Sequence, residues 1–283
     1  MLHAKQNIIL FLIIFALFLG GTVEISEGSI PLGILLIILA MLLIARIKVR
    51  ESYMVKPARL PLFIGVLILA VDIAYNLLTS SKLGTLDIMT FVLGCSLIAQ
   101  NIKNEEVRRM GTFGAYMSAT FIVLFLIFFS LFDHLGINFT HRFDHYVVFI
   151  PSVFLIKAIG IPIHVISTET VRIQGVEEMS VIIGGPCSGL YSMFLLIGIM
   201  VAYKKTEQIE RGAFYSLLLI SVVVAYLANL MRVTTLYLVA FHYGEDAMYL
   251  VHVHLGWIIF VIVVTVLFYV LDKLSRVTPS ASS

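Results

Sequence analysis

The chain has 283 residues, of which 60% are hydrophobic and only 13% are charged. A soluble domain carries roughly 25% charged residues, so this composition excludes a soluble globular protein and predicts a polytopic membrane protein. The formal net charge of +2 gives no indication of a nucleic-acid partner, and none is expected.

Eight apolar stretches are candidates for membrane helices, which need about 20 mostly apolar residues. In chain order they are 7–21, 30–45, 60–78, 86–101, 113–132, 190–203, 213–236 and 251–271. The first lacks a cleavage site of small residues and is followed by further apolar stretches, so we interpret it as a retained helix. The predicted fold is an all-α polytopic membrane protein with about eight transmembrane helices and a disordered tail, 277–283.

The basic residues indicate the orientation of these helices. Lysine and arginine mark cytoplasmic loops, and here they concentrate in 46–59, 103–109 and 204–211, with Lys273 and Arg276 after the last stretch. The pattern predicts a multi-pass protein of the plasma membrane with a cytoplasmic N-terminus. It also places the region just before residue 190 on the outer face.

A ninth apolar stretch, 146–166, decides whether this orientation is consistent. It contains Pro151, Lys157, Gly160 and Pro162. The loop charges before and after it agree only if it does not cross the bilayer once. We therefore expect an interfacial or re-entrant helix on the outer face; the alternative is a true span with another segment miscounted.

A short β-hairpin is predicted directly after this stretch. Val171 and Ile173 alternate with polar residues, Gly175 interrupts the run, and the alternation resumes at Met179. Period two around a central glycine is the pattern of a hairpin. We expect it to lie on the outer surface and to lead into Cys187.

Cys187 lies in the run Gly-Gly-Pro-Cys-Ser-Gly immediately before an apolar stretch, which places it near a helix N-terminus. Backbone N–H groups and the helix dipole favour negative charge there, so they lower the pKa of a thiol and make it more nucleophilic. The alternative is a buried cysteine that only packs. Cys95 is far away in sequence and expected depth, so no CxxC or zinc pattern exists, and no metal or other cofactor is expected.

Two further polar elements are expected at the depth of Cys187. Arg232 lies near the outer end of one apolar stretch, and His252 and His254 begin the last one. Ionisable residues at such positions are costly to insert and are functional candidates by default. Asn229 precedes Arg232 by three residues and shares its helix face, so it could orient the arginine or contact a substrate.

Cysteine, histidine and arginine have complementary chemistry. An imidazole can take the thiol proton and later protonate a leaving amine. A guanidinium keeps its proton and can stabilise the oxyanion of a tetrahedral intermediate. His252 and His254 point in different directions on a helix, so only one is expected to be catalytic. The alternative is that Arg232 only snorkels to the interface.

At these residues the chain resembles the exosortase/archaeosortase family of membrane protein-sorting enzymes. The resemblance covers roughly 144–268 and rests on Cys187-Ser188-Gly189-Leu190, Asn229-x-x-Arg232 and His252-x-x-x-Gly256-Trp257. It implies catalytic roles for Cys187 as nucleophile, Arg232 as oxyanion stabiliser and His252 as general base and acid. The spacing to Gly256 favours His252, and His254 stays open as the alternate base. Candidate substrate-binding residues are Ser188, Tyr191 and Asn229.

The resemblance implies a membrane-embedded cysteine protease or transpeptidase. Such enzymes act on surface proteins with a C-terminal sorting signal: a short motif, a hydrophobic span and a basic cluster. The tail is cut off and the new C-terminus is passed to a membrane lipid or another acceptor. The expected organisation is N-terminal membrane helices in 1–112 and a catalytic core in 113–276. A transporter or assembly scaffold and, less favoured, a thiol-redox membrane protein are the alternatives.

Overall fold

The computed structural model describes residues 13, 16–17, 20–21, 30–44, 59–79, 84–183, 188–206 and 211–277. The first expected helix, 7–21, is mostly outside these residues, as are Cys187 and 278–283. The described residues are mostly helical and include one three-stranded sheet. A helical fold with a small β element before residue 187 is therefore confirmed.

The helices follow one another with few long connections. They are α1 (Ile30–Ile44), α2 (Arg59–Thr79), α3 (Thr85–Ala99), α4 (Glu105–Phe125), a π-helix (Leu126–Leu131), α5 (Phe132–His134), α6 (Phe139–Phe143), a second π-helix (Asp144–Phe149), α7 (Ile150–Ala158), α8 (Leu190–Thr206) and α9 (Arg211–Val277). The strands are β1 (Ile163–Val165), β2 (Thr170–Gln174) and β3 (Glu178–Ile182).

Three stretches of the described residues are long and apolar enough to cross a membrane: Arg59–Thr79, Val107–His134 and Phe214–Val263. Eight separate transmembrane helices are thus not confirmed. The predicted spans 213–236 and 251–271 belong to one element, α9, because the residues between them are also helical. Gly244, at φ 84° and ψ −174°, divides α9 into two arms, a conformation that glycine adopts without a Cβ clash.

The stretch 146–166 is not among the candidate membrane spans of the described residues. Its helix ends at Ala158, Gly160 has φ 90°, and the chain enters β1 at Ile163. The helical part from residue 146 is thus about 20 Å long at 1.5 Å per residue, too short for a bilayer core of about 30 Å. Its interfacial or re-entrant placement stays a prediction.

The predicted hairpin is confirmed as β2 and β3, and β1 adds a third antiparallel strand in the order β1-β2-β3. Val171 pairs with Val181, and Ile173 pairs with Met179. Val171 and Ile173 are fully buried, whereas the residues that alternate with them are exposed. The apolar face of the sheet packs on side chains of α7 and of the first arm of α9, including Ile156, Val233, Tyr237 and Ala240.

The chain forms two compact units. The first contains Met1–Lys48, Asn138–Leu190 and Val223–Ser283, and the second contains Val49–Ile137 and Tyr191–Val222. Both are discontinuous in sequence, so they do not follow the expected division at residues 112 and 113, which stays a prediction. The first unit carries the sheet and both arms of α9 beyond residue 222.

Candidate functional site

The start of α8 has a tightly defined backbone. Ser188 is 1% exposed, and its hydroxyl oxygen accepts a hydrogen bond of 3.4 Å from the Leu190 N–H. Gly189 has φ 79°, in the left-handed region that favours glycine. The predicted helix start after Cys187 is therefore confirmed at Leu190, and Cys187 itself lies outside the described residues.

Gly189 lies directly against Asn229 on the first arm of α9. A Cβ built on Gly189 would lie 2.6 Å from Asn229 Cγ and 2.9 Å from its Nδ2. Asn229 is buried. The residue two positions after the predicted nucleophile thus contacts the first residue of the Asn-x-x-Arg motif, and any side chain at 189 would displace the amide.

Arg232 packs against Gly256 on the second arm of α9. A Cβ built on Gly256 would lie 3.3 Å from both Cζ and Nη2 of Arg232. The arginine is half-buried, and its Nε is a buried atom with no hydrogen-bond partner within the described part of the chain. An unpaired buried donor costs about 1–3 kcal/mol, and here it stays available to a bound acceptor.

The two histidines lie on different faces of the second arm of α9, and both are half-buried. Each residue of a helix turns the chain by about 100°. His252 is four residues before Gly256 and shares the face that meets Arg232, whereas His254 lies nearly opposite. The Arg232–Gly256 contact therefore puts His252, and not His254, one helical turn from the guanidinium.

Two contacts thus connect the three sequence motifs within the first unit. One joins Gly189 to Asn229, the other joins Arg232 to Gly256, and Asn229 and Arg232 are one turn apart on α9. Of the predicted substrate-binding residues, Ser188 and Asn229 lie in this arrangement. The side chains could jointly hold a polar group beside the start of α8.

Tyr191, the third predicted substrate-binding residue, belongs to the second unit and packs in an aromatic cluster there. Its ring centroid lies 6.4 Å from Phe121, 6.0 Å from Phe125 and 5.5 Å from Phe129. Phe129 is part of the π-helix Leu126–Leu131. The structure therefore shows Tyr191 as a packing residue of that cluster.

The tip of the hairpin is fastened to the break in α9, which the sequence did not indicate. The Val176 N–H donates to the Phe241 carbonyl at 3.1 Å, and a Cβ on Gly175 would lie 2.3 Å from that carbonyl oxygen. A carboxylate oxygen of Glu177 accepts a hydrogen bond from the Glu245 N–H at 3.3 Å. The only local signal for the break is a glycine followed by two acidic residues, which are favoured at a helix N-terminus.

Metal and thiol-pair chemistry find no support in the described residues. No group of three or more histidine, cysteine, aspartate or glutamate side chains that could hold a metal occurs among them. Cys95 is an exposed, free cysteine on α3 in the second unit. Nothing in this part of the chain pairs a second sulfur with it.

Fold and site together describe a helical membrane protein in which a small sheet leads into a polar, glycine-packed cluster. The transmembrane exosortase family matches residues 6–269, so the chain belongs to that family. The predicted family is therefore confirmed, and the match extends well beyond 144–268 into the N-terminal helices. Neither the curated proteins nor the solved structures contain a significant match.

Proposed function

We propose that this exosortase is a membrane-embedded cysteine transpeptidase. It cleaves a C-terminal sorting tail from surface proteins and transfers the new C-terminus to a membrane lipid or another acceptor. Family membership supports the class of reaction, because exosortases as a family are cysteine transpeptidases. The observation that carries the site is the contact between Arg232 and Gly256, which brings the arginine beside the helix face that bears His252.

In the proposed reaction, Cys187 attacks the scissile carbonyl while His252 takes the thiol proton. Arg232 donates to the oxyanion of the tetrahedral intermediate. The intermediate collapses to a thioester, and the imidazolium gives its proton to the leaving amine. The acceptor nucleophile then attacks the thioester, passes its proton to His252 and releases the Cys187 thiolate, which regains that proton.

We also propose the eight-helix membrane arrangement with a cytoplasmic N-terminus and Cys187 outside. The stretch Phe214–Val263 has 50 residues, about 75 Å of helix, which is more than twice the bilayer core. Its break at Gly244 allows two crossings that meet on the outer face. A membrane-impermeant maleimide should label Cys187 of intact cells in a Cys95→Ser background; labelling only after permeabilisation would reverse the orientation.

The function is tested with a reporter: a surface protein from the same genome that ends in a motif, a hydrophobic span and a basic cluster. Co-expression should shorten the reporter by the length of its tail. Cys187→Ala should abolish processing while the protein accumulates in the membrane, and Cys95→Ser is the matched control that should process normally. Normal processing by Cys187→Ala would favour the transporter or scaffold alternative.

A further inference from the structure

We propose that the free edge of β3 binds an extended segment of the substrate as an added antiparallel or parallel strand. The segment is the part of the surface protein next to its scissile bond, and it carries a basic side chain. The inference rests on the proposed transpeptidase function and adds the surface that recognises the substrate.

The hydrogen-bond pattern of the sheet shows which backbone groups face this edge. The Ile183 N–H donates to the Glu169 carbonyl at 2.7 Å, so this pair exchanges hydrogen bonds with β2. Pairing alternates along an antiparallel ladder. The N–H and C=O groups of 178, 180 and 182 therefore point away from β2, and within the described residues no other backbone group bonds to them. Such an edge is a template for an added strand.

An open groove of about 520 Å³ follows this edge. One wall is the whole of β3, from Glu178 to Ile182, and the other is formed by Glu245 and Met248 on the second arm of α9. Five strand residues extend over about 17 Å, and an added strand needs about 4.8 Å beside its neighbour. The groove is thus shaped for one extended segment with no helix or loop of the described chain occupying it.

The charges on the groove select the occupant. Glu178 and Glu245 are both exposed, one on each wall, whereas Met179 and Met248 supply apolar surface. Glu178 lies 3.5 Å from Arg172 in an exposed pair that contributes little to stability. The Glu245 carboxylate has no ion pair within the described part of the chain. A bound segment with alternating apolar and basic side chains would satisfy both kinds of surface.

Chain connectivity links the groove to the proposed chemistry. β3 ends at Ile182, and Cys187 follows five residues later. A segment aligned along β3 is therefore held within about five residue lengths, roughly 17 Å, of the thiol. Strand addition would fix the direction of the substrate chain, and the bond beyond its aligned part would be the one presented to Cys187.

Proline at position 180 tests the backbone contact. Ser180 has an edge-facing N–H, so Ser180→Pro removes a donor to the substrate without removing a bond to β2, a placement that edge strands tolerate. With the purified protein and the reporter, KM should rise by about tenfold or more, with kcat largely unchanged. Ser180→Ala, which keeps the N–H, should match the native KM. A native KM for Ser180→Pro would overturn the added strand.

Charge reversal tests the identity of the occupant. Glu245→Lys should raise KM several-fold at low salt, with the difference reduced at high salt because exposed charges are screened. Asp246→Lys is the matched control: it is the adjacent exposed residue, it makes the same charge change and it does not line the groove. Equal effects of the two variants, or none, would overturn the preference for a basic segment.

Two readouts separate failure of this inference from failure of the proposed function. The rate of Cys187 alkylation needs no substrate and should be native in Ser180→Pro. If Ser180→Pro does not fold, a synthetic peptide with the reporter's motif segment should inhibit native processing, and the same peptide N-methylated at alternate backbone positions should not. Equal inhibition by both peptides would overturn strand addition while leaving the transpeptidase intact. Absence of processing by the native chain would overturn both.

Discussion

A carboxylate oxygen of Glu177 accepts a hydrogen bond of 3.3 Å from the backbone N–H of Glu245. Glu245 is the first residue of α9 after its break at Gly244, and a Cβ on Gly244 would lie 3.0 Å from the same carboxylate oxygen. Arg232 precedes the break and His252 follows it. The tip of the hairpin thereby holds the junction between the two arms that carry the proposed arginine and histidine.

The first prediction follows from this contact. Glu177→Ala should lower kcat for reporter cleavage between about 10- and 100-fold with little change in KM, because small misplacements of reacting groups have effects of that size. Glu177→Gln keeps an acceptor oxygen and should restore most of the rate. Steady-state kinetics of the purified protein are the measurement. A native kcat for Glu177→Ala, or a Gln variant as slow as the Ala variant, would contradict the positioning role.

The second prediction concerns Gly189. Gly189→Ala adds a Cβ 2.6 Å from Asn229 Cγ at a residue with φ 79°. The left-handed conformation alone should lower the free energy of unfolding by about 1–2 kcal/mol, and displacement of the amide should reduce processing more than tenfold. Thermal unfolding in detergent and the reporter assay measure the two effects.

Gly212→Ala is the control for that substitution. An added Cβ at Gly212 meets nothing within 4 Å, and the residue lies in α9. Alanine is the better helix former, so this variant should be as stable as the native protein or more stable by up to about 1 kcal/mol. Equal behaviour of the two variants would mean that the Gly189–Asn229 contact has no role in the site.

The third prediction distinguishes an oxyanion stabiliser from a snorkelling arginine. Loss of one oxyanion donor reduces rate by about 100- to 1000-fold, and the planar guanidinium is not replaced by an ammonium. Arg232→Lys should therefore leave only slow residual processing, and Arg232→Ala less. Arg172→Lys, at an exposed position of β2, should be normal. Near-native activity of Arg232→Lys would show that the residue only anchors the helix.

The fourth prediction uses the two histidines as a matched pair. The native thiol should be alkylated faster as pH rises through neutrality, because a neutral imidazole takes its proton. In His252→Ala this rise should move towards the ordinary thiol pKa of about 8.5, and processing should stop. His254→Ala should change neither. The opposite result would place the base on the helix face that is turned away from Arg232 and Gly256.

Local patterns in the sequence were sufficient for the membrane class, several helix bounds and the hairpin. The apolar stretch 60–78 became α2, Arg59–Thr79, and the predicted helix after Cys187 begins at Leu190. Val171 and Ile173 are buried as period two predicts. These features depend on hydrophobic periodicity and turn residues within a short window, which the sequence displays directly. The same residues carried the family, which the match over 6–269 confirms.

Contacts between distant residues were decided by the tertiary structure alone. Residues 237–250 are mostly helical because the break is confined to Gly244, where the hairpin tip binds; the eight-span prediction had treated them as a connection. The three residues of β1 form a strand only because β2 is available to pair with them. Which helix face meets Arg232, and which edge of the sheet is left free, depend on packing between segments far apart in the chain. Such packing has no period that a sequence can show.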